Sequence, residues 1–253
     1  LGVKKSRLDL ILVDSGMAPT REKARALIMA GRVLVNGSRM EKPGREFPHG
    51  VDLSVTQELP YVSRGGLKLE AALACFGFDP AGLTVMDCGA STGGFTDCLL
   101  KRGAARVTAI DVGYGQLDWG LRQDPRVTLI ERANIRLLDP KSLPYPIDAA
   151  VADLSFISLK LVLPKLLQIL GPGAALLPLV KPQFEVGRGQ VGKGGIVRDQ
   201  EKILETLSGV AAFADELGFY VLGQMESPIR GQKGNREFFL HLKKKGSHFH
   251  KGV

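Results

Sequence analysis

Between residues 84 and 242, short apolar runs recur with helix-forming stretches between most of them. The runs are "TVMDCG", "RVTAIDVG", "VTLIER", "IDAAVADLSF", "AALLPLVKP", "YVLGQME" and "REFFLHL". Each has strand length, and most are nearly continuously apolar, as strands covered on both faces must be. Helical spacing predicts helices near 67–76, 95–102, 115–123, 158–170 and 199–217. Such alternation requires an α/β fold with a mostly parallel seven-stranded sheet between helical layers. The last two runs, joined by "SPIRGQKGN", are expected to end the sheet as an antiparallel hairpin.

The first part of the chain follows a different pattern and predicts a small α+β domain over 1–59. A linker over 60–66 leads to the large domain at 67–245, and 246–253 reads as a disordered tail. In "SRLDLILVDS", Leu8, Ile11 and Leu12 share one helical face, and Gly16 offers the stop. Thr20 suits the N-cap of a second helix, "REKARALIMA", which Gly31 ends. "RVLVNGSRM" carries the Asn36-Gly37 hairpin signal, and "VDLSV" a further strand.

Charge bears on partners. The formal net charge is +8 over 253 residues, and Lys243, Lys244, Lys245 and Lys251 near the end supply half of it. Lys5, Arg7, Arg21, Arg25 and Arg32 cluster in the small domain, where they could follow the phosphates of a folded RNA. Arg64 at the domain entrance, and Arg188 and Lys193 in a glycine-rich loop, join them as RNA-binding candidates. The apolar stretches are shorter than a membrane span, and Asp9 and Asp14 interrupt the N-terminal one. A cytoplasmic protein without a membrane partner is therefore expected. Cys75, Cys88 and Cys98 read as reduced thiols, and no spacing suggests a metal site.

"VMDCGASTGGFT" joins the first strand of the sheet to a helix. Its candidate ligand residues are Asp87, Gly89, Ala90, Ser91, Gly93, Gly94 and Phe95. Glycines there let backbone N–H groups approach a ligand at the helix start. Asp87 would repel a pyrophosphate and suits a cationic or hydroxyl-bearing group. Asp111, ending the next strand, can accept both hydroxyls of a ribose, and Asn134 could read an adenine edge. The glycine spacing is not that of a nicotinamide site. "GRGQVGKGG" approaches a phosphate loop but has Gly194 where a Ser or Thr is needed, so it reads as a loop closing over substrate.

Ligands of parallel sheets bind at the C-terminal strand ends. Asp153 and Lys181 end two apolar runs, Glu237 opens the last, and Lys68 lies at the start of the first helix of the large domain. Together they make an alternating Lys-Asp-Lys-Glu set.

Several resemblances attach to these motifs. Helix–helix–Gly–V-x-V-N-G over residues 6–55 resembles the αL RNA-binding domain of a ribosomal small-subunit protein, pseudouridine synthases and tyrosyl-tRNA synthetases. D-x-G-x-x-x-G-G with Asp111 resembles the S-adenosylmethionine site of class I methyltransferases, which share a Rossmann-like fold. The four charges resemble the tetrad of FtsJ-type ribose 2′-O-methyltransferases. With "SRGGLKL", "DLSFISL", "LVKPQFE" and "KGNREFF", the chain resembles the TlyA, or haemolysin A, family. That resemblance implies Lys68, Asp153, Lys181 and Glu237 as catalytic, and Gly89, Ser91, Gly94 and Asp111 as cofactor contacts, with Asp153 also at the cofactor's edge. It implies cytidine ribose methylation in ribosomal RNA or its subunits. Leu154-Ser155-Phe156 departs from the Met-Ala-Pro of FtsJ-like enzymes. The rival readings are a membrane-lytic protein, for which no insertion segment is visible, and an RNA-binding protein on an idle methyltransferase fold.

A ribose 2′-OH is a poor nucleophile whose proton must leave as the methyl arrives. Lys181 is the candidate base, with Lys68 nearby to favour its neutral form, while Asp153 and Glu237 pull the other way, stabilising the cation and orienting it.

Overall fold

The computed structural model describes residues 5–29, 31–55, 60–187, 191–192, 194–231 and 233–246. It divides into two compact units, Leu1–Leu59 and Pro60–Val253.

In the first unit, helices α1 (Leu8–Asp14) and α2 (Arg21–Met29) follow strand β1 (Lys5–Arg7). Strands β2 (Val33–Val35), β3 (Ser38–Met40), β4 (Glu46–Pro48) and β5 (Leu53–Val55) complete it. The sheet order is β3-β2-β5, with β1 and β4 paired separately. Asn36 and Gly37 both have positive φ, which the tight β2–β3 turn requires. Thr20 Oγ1 accepts the Lys23 N–H at 3.2 Å, capping α2. Leu8, Leu12, Ala24, Ile28, Val33 and Val35 form the core.

Among the described residues of that unit one charged side chain is buried. Asp9 is fully buried and accepts hydrogen bonds from Arg7 Nε and Nη2 and from Arg21 Nε, each at 3.0 Å. The bonded Arg7 guanidinium, with Arg21 assisting against the cost of burial, holds its carboxyl down to about 2.

The second unit contains α3 (Arg64–Phe76), β6 (Thr84–Cys88), α4 (Gly94–Lys101), β7 (Arg106–Ile110), α5 (Trp119–Gln123) and β8 (Val127–Ile130). There follow β9 (Ala149–Ala152), α6 (Leu163–Ile169), β10 (Ala175–Val180), α7 (Pro182–Glu185), α8 (Gln200–Leu217), β11 (Phe219–Glu226) and β12 (Phe238–Lys244). The sheet order is β11-β12-β10-β9-β6-β7-β8. Strands β6 to β10 run parallel, and β12 is antiparallel to both β10 and β11. Successive strand residues serve opposite cores: Val85 packs with Leu69, Leu73, Leu99 and Leu121, and Met86 with Leu163, Leu166, Leu207 and Val210.

Helix α3 starts at Arg64, within the stretch expected as linker. Glycine at 66 lets the helix start lie close to its neighbours: a Cβ on Gly66 would overlap the Tyr61 ring, and one on Gly94 would overlap Ser63 Oγ and lie 2.8 Å from Gly66 N. The helix expected over 158–170 is a 3₁₀ turn at Leu159–Leu161 followed by α6, and Pro164 falls in the first turn of α6, where its missing N–H has no helical partner to lose. Residues 247–253 of the expected tail lie outside the described residues. Among the described residues, no helix is long and apolar enough to cross a membrane.

Candidate active site

Strand order reverses at β6: β7 and β8 lie on one side, β9 and β10 on the other. A crevice opens beyond the C-terminal strand ends at such a point, and a cavity of about 600 Å³ lies there. Because β12 is antiparallel, its beginning reaches the same edge as the ends of β9 and β10. Residues widely separated in sequence thus meet for a topological reason.

All four members of the charged set line this cavity. Lys68 Nζ donates to Glu237 Oε2 at 2.6 Å, with the two side chains 11% and 3% exposed. Lys181 Nζ lies 2.7 Å from Asp153 Oδ1 and donates a directed hydrogen bond to Ser155 Oγ at 2.9 Å. Each lysine is therefore matched by its own carboxylate. A buried charge left unmatched would carry a large desolvation cost.

The glycine turn forms another wall. Gly89, Ala90, Ser91, Gly94 and Phe95 line the cavity. Gly89 has φ +87°, and a Cβ there would lie 2.7 Å from Asp153 O, so a side chain would force the turn off β9. Gly93, φ +96°, is the N-cap of α4 rather than a lining residue. Asp111 accepts the Ser91 N–H at 2.8 Å and the Gly113 N–H at 2.6 Å. Each carboxylate oxygen keeps a further lone pair for a hydroxyl.

Four expected cofactor residues are not on the cavity lining: Gly93 and Asp111, which adjoin the lining residue Ser91 through the turn, and Asp87 and Asn134. Asp87 is fully buried behind the turn, where Thr96 Oγ1 donates to it at 2.7 Å. Burial pushes its carboxyl up to about 7, and its Oδ1 has no hydrogen-bond partner among the described residues. Its place in β6 points it inward, not into the cavity. Asn134 caps the 3₁₀ turn Ile135–Leu137 by accepting the Arg136 N–H at 3.1 Å, and does not line the cavity.

The basic candidates also divide. Arg64 is exposed and lines the cavity. Lys5 and Arg25 are exposed in the first unit, Arg32 is half-buried, and Arg7 and Arg21 are engaged by Asp9. From the sequence Arg7 and Arg21 are RNA-binding candidates; nothing local showed Asp9 to be buried beside them, and both side chains stay partly exposed. Arg188 and Lys193 lie outside the described residues.

Sequence reading missed several lining residues. Phe156 has φ +62° and is 91% exposed, an uncommon backbone for a bulky residue. Its ring lies 5.1 Å from that of Phe184. Asn235 is buried, accepts the Val197 N–H at 3.0 Å and donates to Gly195 O at 2.8 Å, tying the glycine-rich loop to the turn before β12. The available signal was Leu154-Ser155-Phe156, whose departure from the expected pattern marks this wall as different.

A mostly parallel seven-stranded sheet with a terminal antiparallel hairpin, and a glycine turn and ligand-sized cavity at its switch point, is the class I methyltransferase fold. An S-adenosylmethionine dependent methyltransferase from Mesorhizobium loti shares it at a TM-score of 0.52 and 16% identity, over 70% of this chain and 98% of that one; the likeness is of fold alone. Within that class the chain belongs to the FtsJ-like methyltransferase family, which matches residues 61–244, and it carries an S4 domain matched over residues 6–52. It is 48% identical to the 16S/23S rRNA (cytidine-2'-O)-methyltransferase TlyA of Mycobacterium tuberculosis, covering 95% of this chain and 90% of the relative. A solved structure from Streptococcus thermophilus that carries a hemolysin designation superposes at a TM-score of 0.75 with 46% identity, over 96% of this chain and 90% of that one.

Proposed function

We propose that this chain transfers a methyl group from S-adenosylmethionine to the 2′-hydroxyl of a cytidine in ribosomal RNA of one or both subunits, in the cytoplasm. The observation that carries the reading is the convergence of two matched lysine–carboxylate pairs and the Gly89–Gly94 turn on one cavity. The relative's rRNA (cytidine-2'-O) specificity supports the substrate class.

The residues fit that donor. It offers a sulfonium, an ammonium and two ribose hydroxyls, all of which favour acceptors. Asp111 retains acceptor capacity at the end of β7, and Asp153 stands beside the turn. The volume lies within the roughly 300–1,000 Å³ of ordinary ligand sites. When bound, the donor supplies an activated methyl group; alignment and proton handling fall to the chain. Lys181 receives the proton of the substrate hydroxyl, Asp153 holds Lys181 in place, and the Lys68–Glu237 pair lines the same cavity. Phe156 offers an exposed face on which a base can stack, while Arg64, Arg230 and Lys233 on the same lining suit flanking phosphates.

The test is transfer of a labelled methyl group to small- and large-subunit rRNA, naked and in assembled subunits, from cells lacking this protein. Label must appear on a ribose 2′-oxygen; label confined to bases, or none at all, overturns the reading.

The first unit supplies RNA affinity in this reading. Arg25 is the residue to reverse, because Arg21 also holds Asp9. Arg25→Glu is expected to weaken rRNA binding and make the plot of log affinity against log salt shallower by about one unit, with S-adenosylmethionine affinity unchanged. A filter-binding titration measures both, and an unaltered slope counts against the S4 domain as the reader.

A further inference from the structure

Lys181 touches a residue outside the four charges. Its Nζ hydrogen-bonds Ser155 Oγ at 2.9 Å, whereas its 2.7 Å contact with Asp153 Oδ1 lacks hydrogen-bond geometry, leaving that buried oxygen without a hydrogen-bond partner among the described residues. The carboxylate attracts the head group; the serine gives it direction. We propose that Ser155 is a positioning residue that fixes rotation of the Lys181 head group and so aims the site from which it takes the substrate proton. The proposal rests on the reading of the cavity as a ribose methyltransferase site.

A lysine head group on its flexible stem rotates about Cε–Nζ. Its three remaining positions on nitrogen are staggered, so fixing one N–H on Ser155 also fixes the other two. When Nζ is neutral, one of those two positions holds the lone pair. Lys181, Asp153 and Ser155 all line the cavity, so the constrained head group works where the substrate hydroxyl must sit. As the O2′–methyl bond forms, the sulfur–methyl bond breaks with its electron pair remaining on sulfur, and the O2′ proton passes to that lone pair to make an ammonium. A head group attracted by Asp153 but free to rotate would present the lone pair only part of the time.

Ser155 is exposed on the cavity wall, so its replacement leaves the core intact. Ser155→Ala is expected to lower the single-turnover rate at saturating RNA and donor by roughly 10–100-fold, as small misalignments do. RNA KM and donor affinity should stay within about threefold, since Ser155 acts through Lys181 rather than through either ligand. Ser155→Thr keeps the hydroxyl and should retain most of the rate. A second measurement needs no RNA: the ¹⁵Nζ signal of Lys181, assigned with Lys181→Arg, should show slowed proton exchange in the natural protein and in Ser155→Thr, and lose it in Ser155→Ala. A wild-type rate in Ser155→Ala, a threonine variant as slow as the alanine one, or equal exchange in all three overturns the proposal. Absence of methyl transfer by the natural protein would overturn the functional reading instead, and the exchange data would still decide the role of Ser155.

Discussion

Replacing Lys181 by alanine is expected to slow single-turnover methyl transfer by about 10³-fold, within the roughly 10²–10⁴ that a positioned base contributes. Donor affinity should change little, because the turn Gly89–Gly94 and Asp111 do not depend on Lys181 for their conformation. The fold should survive as well. Asp153, which loses its cation, has a side chain 22% exposed, so water from the cavity can take the place of the ammonium. A residual rate above the uncatalysed reaction is expected from alignment alone, which can account for about 7–11 kcal/mol of the barrier. Two measurements separate a proton acceptor from a structural prop. A small primary amine added to Lys181→Ala should restore part of the rate, and equilibrium titration with S-adenosylmethionine should give a near-normal affinity. A variant that turns over within threefold of the natural protein would remove Lys181 from the chemistry.

How far this site could be read in advance follows from which interactions are local. The strands beside the cavity announce themselves because residues such as Val85 and Met86 must face opposite apolar layers, leaving few polar residues except at strand ends. Asp153 and Lys181 stand out for that reason. Lys68 and Glu237 could be nominated by type and spacing, but their 2.6 Å contact depends on β12 running against β10, a tertiary fact. Asp87 shows the opposite case. Its position before the glycines suggested a ligand-facing acid, yet pleating turns it inward toward Thr96. Asp9 carried no local sign of burial, so the two arginines that neutralise it looked like free surface charges. Ser155, Phe156 and Asn235 are brought to the cavity by turn and loop geometry that has no sequence period. Period and composition locate the layers; the order of strands decides which side chains face one another.

The Lys68–Glu237 pair leads to the second large effect. Lys68→Met is expected to destabilise the second unit by about 3–5 kcal/mol, the usual cost of leaving one member of a buried pair without its partner. At roughly 2–4 °C per kcal/mol for a unit of this size, the melting transition should fall by about 6–20 °C, with the lower part of that range favoured by the water the cavity admits. The carboxylate is held close, since a Cβ on Gly231 would overlap Glu237 Oε1 and the group has little room to swing toward solvent. Adding Glu237→Gln should reverse most of the loss, because an amide carries no charge to strand and Met fills the lysine stem. Stability and activity should then part company: the double variant regains its melting temperature but not its methyl-transfer rate, since neither the cation nor the anion facing the substrate has been restored. Thermal melts and single-turnover assays on the two single variants and the double one form a complete cycle. If the double variant melts as low as Lys68→Met, the pair is not a matched buried charge. If it recovers activity along with stability, the pair serves the fold alone, and the reaction rests on Lys181 and Asp153.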